Sequence, residues 1–284
     1  MARLFIFGFG YSALALAGQL RSLGWEVAGT TRQPGKVADL RHLGFTVYPF
    51  SREMPLGVGV AALADFPYVL HSVPPDDLGD PVYDLHSGDL VDVMPNLKWV
   101  GYLSTTGVYG DHQGARVDET TPCSPTNART MARYHIERQW LELQQKCGVP
   151  MHIFRLAAIY GPGRNIVADL RAGKMPRRLM PDHVINRIHV ADIAQALSAS
   201  MHKPIPGGIY NLADDCPARQ SDVIAHAAQL LNMEIPAAPE SDKAITFADS
   251  KIVDNAKMKR ELGVRLNFPG YREGLAAAQS LAVR

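Results

Sequence analysis

Two short stretches carry residue types whose spacing could do chemistry. Gly8-Phe9-Gly10-Tyr11-Ser12-Ala13 has the form G-x-G-x-x-A. The first glycine permits a tight turn, the second lets a phosphate approach the backbone, and a small third residue lets a helix pack against a strand. If a helix begins there, the free N–H groups of its first turn and its dipole favour an anion. The expected ligand is the pyrophosphate of a dinucleotide, cradled by Gly8, Phe9, Gly10, Tyr11 and Ser12. The second stretch is Thr30-Thr31-Arg32. A carboxylate there would accept hydrogen bonds from the ribose 2′-hydroxyl of NAD, whereas an arginine beside hydroxyls suits a 2′-phosphate. Thr31 and Arg32 therefore favour NADP, with NAD as the alternative.

Both stretches depend on elements that bring them to one edge of a sheet. Arg3 to Gly8 is an apolar run that reads as a buried strand, Ser12 to Leu23 has helical apolar spacing, and Trp25 to Thr30 reads as a second strand. Together they form a βαβ unit. Further strands are predicted at Phe45 to Tyr48, Tyr68 to Val73, Leu97 to Ser104 and Met151 to Leu156, with helices near 80–94 and 129–146. Strands separated by helices imply a parallel sheet covered on both faces. The stretch from His71 to Pro75 follows the fourth strand and is expected to line the cofactor cleft through Val73. After Tyr160 the regular alternation ends in the turn cluster Tyr160-Gly-Pro-Gly-Arg-Asn165, followed by short elements, a strand at Gly208 to Leu212 and a Pro/Ala-rich loop at Ile235 to Glu240. The predicted fold is α/β, a Rossmann-type doubly wound parallel sheet with a smaller C-terminal substrate lobe. The nucleotide-binding domain is placed over residues 1–160 and the lobe over 161–284, with some of its segments returning to the first domain.

Bulk composition narrows the classes of partner. With 284 residues, 46% of them hydrophobic, the chain is long enough to bury a substantial core. Its 29 basic and 28 acidic residues nearly cancel, so no excess of charge points to nucleic acid. Three widely spaced cysteines, Cys123, Cys147 and Cys216, fit neither a disulfide framework nor a zinc site. No metal is expected. No stretch approaches the roughly 20 apolar residues of a membrane span. Glycines interrupt the apolar N-terminal run, and no clear cleavage site follows it. A cytoplasmic protein with reduced thiols, acting on a small molecule, is the expectation.

Several further segments together resemble the extended short-chain dehydrogenase/reductases, the NAD(P)-dependent epimerase/dehydratase family. These are Leu103-Ser-Thr-Thr-Gly-Val-Tyr-Gly110, Phe154-Arg-Leu-Ala-Ala-Ile-Tyr-Gly-Pro-Gly163, His189-Val-Ala-Asp192, Ile209-Tyr-Asn-Leu212, and Glu261-Leu-Gly263 with Glu273-Gly-Leu275. Their order and spacing carry the resemblance over nearly the full chain. The glycine turn departs from the family's three-glycine form, with Phe7 in the first glycine position and Ala13 in the last.

The resemblance implies an active site and shows where this chain departs from it. The family's substrate-bonding hydroxyl falls on Thr105. Counting back from Glu137 places the family's catalytic tyrosine at Arg129 and its ribose-binding lysine at Arg133. Four-residue spacing keeps 129, 133 and 137 on one helix face. Arg133 can keep the ribose contact. A guanidinium stays protonated, so Arg129 cannot act as the acid or base, but it can stabilise an oxyanion or clamp an anionic group. Tyr109, Tyr160, His189 and His71 are candidate substitute bases. Arg164, Asn165 and Arg187 are candidate contacts to a polar, nucleotide-linked substrate. Family members commonly pair such a helix with its symmetry mate, so a homodimer is expected by analogy. Two functions remain open: an atypical NAD(P)-dependent oxidoreductase or epimerase/dehydratase, and a catalytically inactive NADP(H)-binding sensor.

Overall fold

The computed structural model describes residues 1–57, 63–174, 183–235 and 249–281. Most of the Pro/Ala-rich loop predicted after Ile235 lies outside these residues. Seven strands form one sheet: β1 (Arg3–Phe7), β2 (Glu26–Thr31), β3 (Thr46–Pro49), β4 (Tyr68–His71), β5 (Trp99–Thr105), β7 (Met151–Leu156) and β11 (Gly208–Leu212), in the order β11-β7-β5-β4-β1-β2-β3. β1 pairs in parallel with β2 and β4, β2 with β3, and β4 with β5. The order reverses between β1 and β4, the switch point of a doubly wound sheet. Leu4, Phe5, Ile6 and Phe7 are all buried, because helices cover both faces and an alternating strand would expose polar residues to apolar neighbours.

The chain divides into two units. The first comprises residues 1–105, 127–155 and 193–210. Its helices include α1 (Tyr11–Ser22), α2 (Pro34–His42), α3 (Pro81–Asp92) and α4 (Ala128–Cys147). α4 is the predicted helix near 129–146. Asn127 caps it by accepting from Thr130 N at 3.0 Å, and Gly148 ends it in the left-handed conformation at φ 78°. Ile136 and Trp140, one turn apart, are buried in a core that includes Phe5, Phe7, Val69 and Val100. α2 escapes the sequence pattern because only Leu40 of its nine residues is buried, so it has almost no apolar stripe to read.

The second unit comprises residues 106–126, 156–192 and 211–284. Its strands are short. β8 (Ala158–Tyr160) pairs in parallel with β10 (Arg187–His189), β9 (Val184–Ile185) pairs antiparallel with β12 (Ala218–Arg219), and β6 (Arg116–Val117) pairs in parallel with β13 (Ile252–Val253). Two- and three-residue strands carry too little alternation for a sequence reading to find. A compact core of Tyr160, Val167, Leu170, Val223, Ala227, Tyr271 and Leu275 joins the helices α5 (Ile166–Arg171), α7 (Gln220–Leu231) and α9 (Tyr271–Leu281).

Candidate functional site

The glycine turn stands between β1 and α1. Gly8 has φ +88°, and a side chain there would also bring its Cβ to 3.0 Å from Val73 Cγ2. Only glycine meets both demands without strain. The turn is pinned to β2, with Gly8 N donating to Thr30 Oγ1 at 2.9 Å and Phe9 N to the Thr30 carbonyl at 2.8 Å. Phe9 is buried, its ring 5.1 Å from that of Phe45. Gly10 is the N-cap of α1, where no side chain caps the helix and no acidic residue occupies the first turn. That leaves the positive end of the helix open to an anion.

A cavity of about 410 Å³ opens beside this turn. Gly8, Phe9, Gly10, Thr31, Arg32 and Val73 line it together, from three separate stretches of sequence. Tyr11 and Ser12 follow in the first turn of α1 and are not among its lining residues. The Val73 wall is held by Ser72 N donating to the Phe7 carbonyl at 2.9 Å. Sequence reasoning missed Lys36, Arg52, Glu53 and Asp76, which also line the cavity. Pro34, a favoured first helical residue, was the available signal for Lys36, since it starts α2 and places Lys36 in the first turn. Arg52 is engaged by Asp76 at 2.7 and 3.0 Å and by Asp84 at 2.8 Å. Arg32 and Lys36 are exposed, and neither forms an ion pair among the described residues.

Thr105 ends β5 and is half-buried. Arg133, half-buried on α4, donates from Nη1 to the Leu103 carbonyl at 2.5 Å, and its guanidinium lies 5.9 Å from the ring of Tyr102. Arg133 is thus seated at the end of β5, two residues from Thr105. Arg129 lies on the first turn of the same helix and is exposed. Glu137, the third residue of that face, is buried and pairs with Arg155, which donates from Nη2 at 2.7 Å.

The substitute bases are engaged inside the protein. Tyr109 is fully buried and donates to Asn211 Oδ1 at 2.8 Å. Tyr160 donates to the Gly270 carbonyl at 3.0 Å, and burial pushes its phenol well above the usual tyrosine range. His189 accepts from Ala191 N at 3.2 Å, packs 3.8 Å from the ring of Phe268, and is lowered to about 4 by burial. His71 Nε2 is 2.6 Å from Asp80 Oδ2. Gly110, which closes the Val-Tyr-Gly turn at φ +74°, approaches the Ser124 carbonyl so closely that any side chain would collide with it.

In the second unit, Asn165 caps α5. It accepts from Ala168 N at 2.9 Å and donates to the Gly161 carbonyl at 2.8 Å, so both ends of its side chain are engaged within its own turn. Arg164 is exposed in that turn. Arg187 lines a smaller cavity of about 200 Å³ with Tyr160, Tyr271 and residues of α5, α7 and α9. Among the described residues, no cluster of three or more metal-ligating side chains occurs, and no helix is long and apolar enough to cross a membrane.

A glycine turn pinned to the second strand, beside a switch point of a doubly wound sheet, defines a Rossmann-type protein. The model of the NAD dependent epimerase/dehydratase family matches residues 85–213 of the chain. It is similar to Protein YeeZ of Escherichia coli K12, 29% identical over 278 residues that cover 95% of this chain and 97% of that protein. A functionally unknown conserved protein from Silicibacter pomeroyi DSS is 42% identical, with a TM-score of 0.87 over 99% of both chains. The dTDP-glucose 4,6-dehydratase of Bacillus anthracis, solved in complex with NAD, is 18% identical with a TM-score of 0.81, over 100% of this chain and 97% of that one.

Proposed function

We propose that this protein binds NADP(H) and acts as an atypical oxidoreductase or epimerase/dehydratase on a polar small molecule. The single observation that carries the cofactor is the 410 Å³ cavity on the glycine turn, bordered at the end of β2 by Thr31 and Arg32 and not by a carboxylate. Gly8, Phe9 and Gly10 cradle the pyrophosphate with the first turn of α1, Tyr11 and Ser12, behind them; Arg32 and Lys36 meet the 2′-phosphate, Val73 forms the opposite wall, and Arg133 contacts the ribose. Two exposed cations that form no ion pair among the described residues favour the extra phosphate of NADP over NAD. When bound, the cofactor supplies or accepts hydride. Thr105 donates a hydrogen bond to a substrate oxygen, and Arg129 supplies fixed positive charge where the family carries tyrosine. Arg164 and Arg187 offer anion contacts, with Asn165 holding the turn that carries Arg164. A nucleotide-linked substrate follows by analogy with the dTDP-glucose dehydratase, and a cytoplasmic homodimer with the family.

The internal engagement of Tyr109, Tyr160, His189 and His71 favours a second reading, an NADP(H)-binding sensor without proton transfer. Hydride exchange followed at the nicotinamide absorbance, over a panel of nucleotide sugars and small carbonyls, separates the two. Turnover establishes the enzyme; NADPH binding without turnover on any member establishes the sensor.

A further inference from the structure

We infer that the smaller cavity of the second unit is a binding site for a small monocarboxylate with an apolar body. Arg187 begins β10 and lines this cavity. One nitrogen, Nη1, is fixed by the carbonyls of Ile185 at 2.9 Å and Ala218 at 3.2 Å. The guanidinium is therefore rigidly placed, while Nε and Nη2 have no partner among the described residues. Those are the donors of a bidentate contact to a carboxylate.

Among the described residues Arg187 forms no ion pair. The charge of Asp214 is the largest influence raising its pKa, but burial outweighs it. Asp214 is itself buried, accepts from Cys216 N at 3.1 Å through Oδ1, and leaves Oδ2 without a partner. Burial pushes its carboxyl up to about 7, so near neutral pH much of its charge is absent. A partly buried cation facing an opening without compensation is costly, and an anionic ligand removes that cost. Asp169 also lines the cavity, but it is exposed and its charge is screened by water.

Size and lining set the ligand class. At about 200 Å³ the cavity falls below the range of roughly 300–1,000 Å³ usual for drug-sized ligands, which excludes a whole nucleotide. Arg187 is the single cation among its described lining residues, which suits one carboxylate and not a diphosphate. Val223, Ile224 and Leu275 supply apolar wall for the rest of the ligand. The inference rests on the proposed reading of Arg187 as an anion contact and, at this residue, replaces the nucleotide-linked substrate with a small monocarboxylate.

Calorimetric titration of the full chain at pH 6.5, where most of the Asp214 carboxyl is protonated, tests it with three probes: 3-phenylpropionate, its neutral amide, and inorganic phosphate. NADPH titration runs in parallel and reads the first unit independently. The expected result is saturable binding of the carboxylate, with the amide and phosphate at least tenfold weaker. Arg187→Gln weakens carboxylate binding at least tenfold while leaving NADPH binding in place. Because Arg187 also holds two carbonyls, Ile224→Phe serves as a second variant that keeps the cation and fills the cavity; it too should weaken the carboxylate tenfold. Equal binding of the amide or of phosphate, carboxylate binding unchanged in Ile224→Phe, or no saturable carboxylate binding by protein that binds NADPH would each overturn the site. Carboxylate binding without NADPH binding would sustain the site and remove the proposed cofactor.

Discussion

His71 Nε2 and Asp80 Oδ2 lie 2.6 Å apart, with both side chains buried. The same Asp80 oxygen accepts from Trp140 Nε1 at 2.8 Å, and its other oxygen caps α3 by accepting from Val82 N at 2.9 Å. One carboxylate therefore joins the end of β4, the start of α3 and the helix that carries Arg133. His71 Nδ1 in turn accepts from Val73 N at 3.3 Å, which reaches the wall of the cofactor cavity. Asp80→Ala should destabilise the fold by about 3 kcal/mol or more, since it orphans two buried donors and removes a helix cap. Urea unfolding measures this. Asp80→Asn keeps an acceptor for the cap but puts an amide NH2 where the shared oxygen stood, so it should retain most of the loss; an Asn variant nearly as stable as wild type would refute the role of the shared oxygen.

Cofactor choice is predicted to rest on Arg32 and Lys36. Replacing both with Gln should weaken NADP binding roughly 10- to 100-fold, the range of one or two charge-assisted hydrogen bonds, and change NAD binding little. Fluorescence titration with both reduced cofactors reads the ratio. If NAD binds the wild-type chain more tightly than NADP, the reading of Thr31 and Arg32 fails.

Thr105→Val keeps shape and removes the hydroxyl at the end of β5. If the chain is an enzyme, turnover should fall on the order of 100-fold with cofactor affinity unchanged, as for loss of a donor to a reacting oxygen. Full turnover in the variant would remove Thr105 from the chemistry.

Asp214 gives stability a pH dependence of definite sign. Its folded pKa of about 7 lies above the ordinary value of 3.8, because burial outweighs the hydrogen bond from Cys216 and the charge of Arg187, while Asp215 and Asp192 push the same way as burial. The folded state then holds a proton that the unfolded state has lost, so this contribution is complete below about pH 4 and disappears as pH rises through 7. Relative to wild type, Asp214→Asn should gain stability between pH 4 and 7, by up to about 4 kcal/mol. Thermal unfolding of both proteins across that range checks it; parallel curves would show that Asp214 does not titrate there.

Much of the sheet was legible because its strands are apolar runs separated by amphipathic helices. Met151–Leu156 and Gly208–Leu212 lie where the sequence places them. The helix over residues 34–42 was not, because a helix lying on the surface with one buried leucine leaves no periodic signal. The predicted cofactor residues at Gly8, Phe9, Gly10, Thr31, Arg32 and Val73 share one cavity, because the parallel register of β2, β1 and β4 brings their ends to one edge. Lys36 and the Arg52 ion pairs escaped notice. Arg52 meets Asp76 and Asp84 across 24 and 32 positions, and charge pairs at such separations have no spacing rule.

By itself the sequence determined the βαβ start, the glycine turn and the two arginines at 129 and 133, since these depend on local sterics, apolar periodicity and residue identity. What the hydroxyls, imidazoles and guanidiniums are free to do was decided only by the tertiary structure. Tyr109, Tyr160 and His189 could each be drawn as a base from the sequence, yet the fold buries them against Asn211, Gly270 and Phe268. Arg187 stood in the sequence as one of three candidate substrate contacts, and packing leaves it lining a cavity with no ion pair among the described residues. Availability of a polar group depends on which distant partners reach it, and those contacts exist only once the chain is folded.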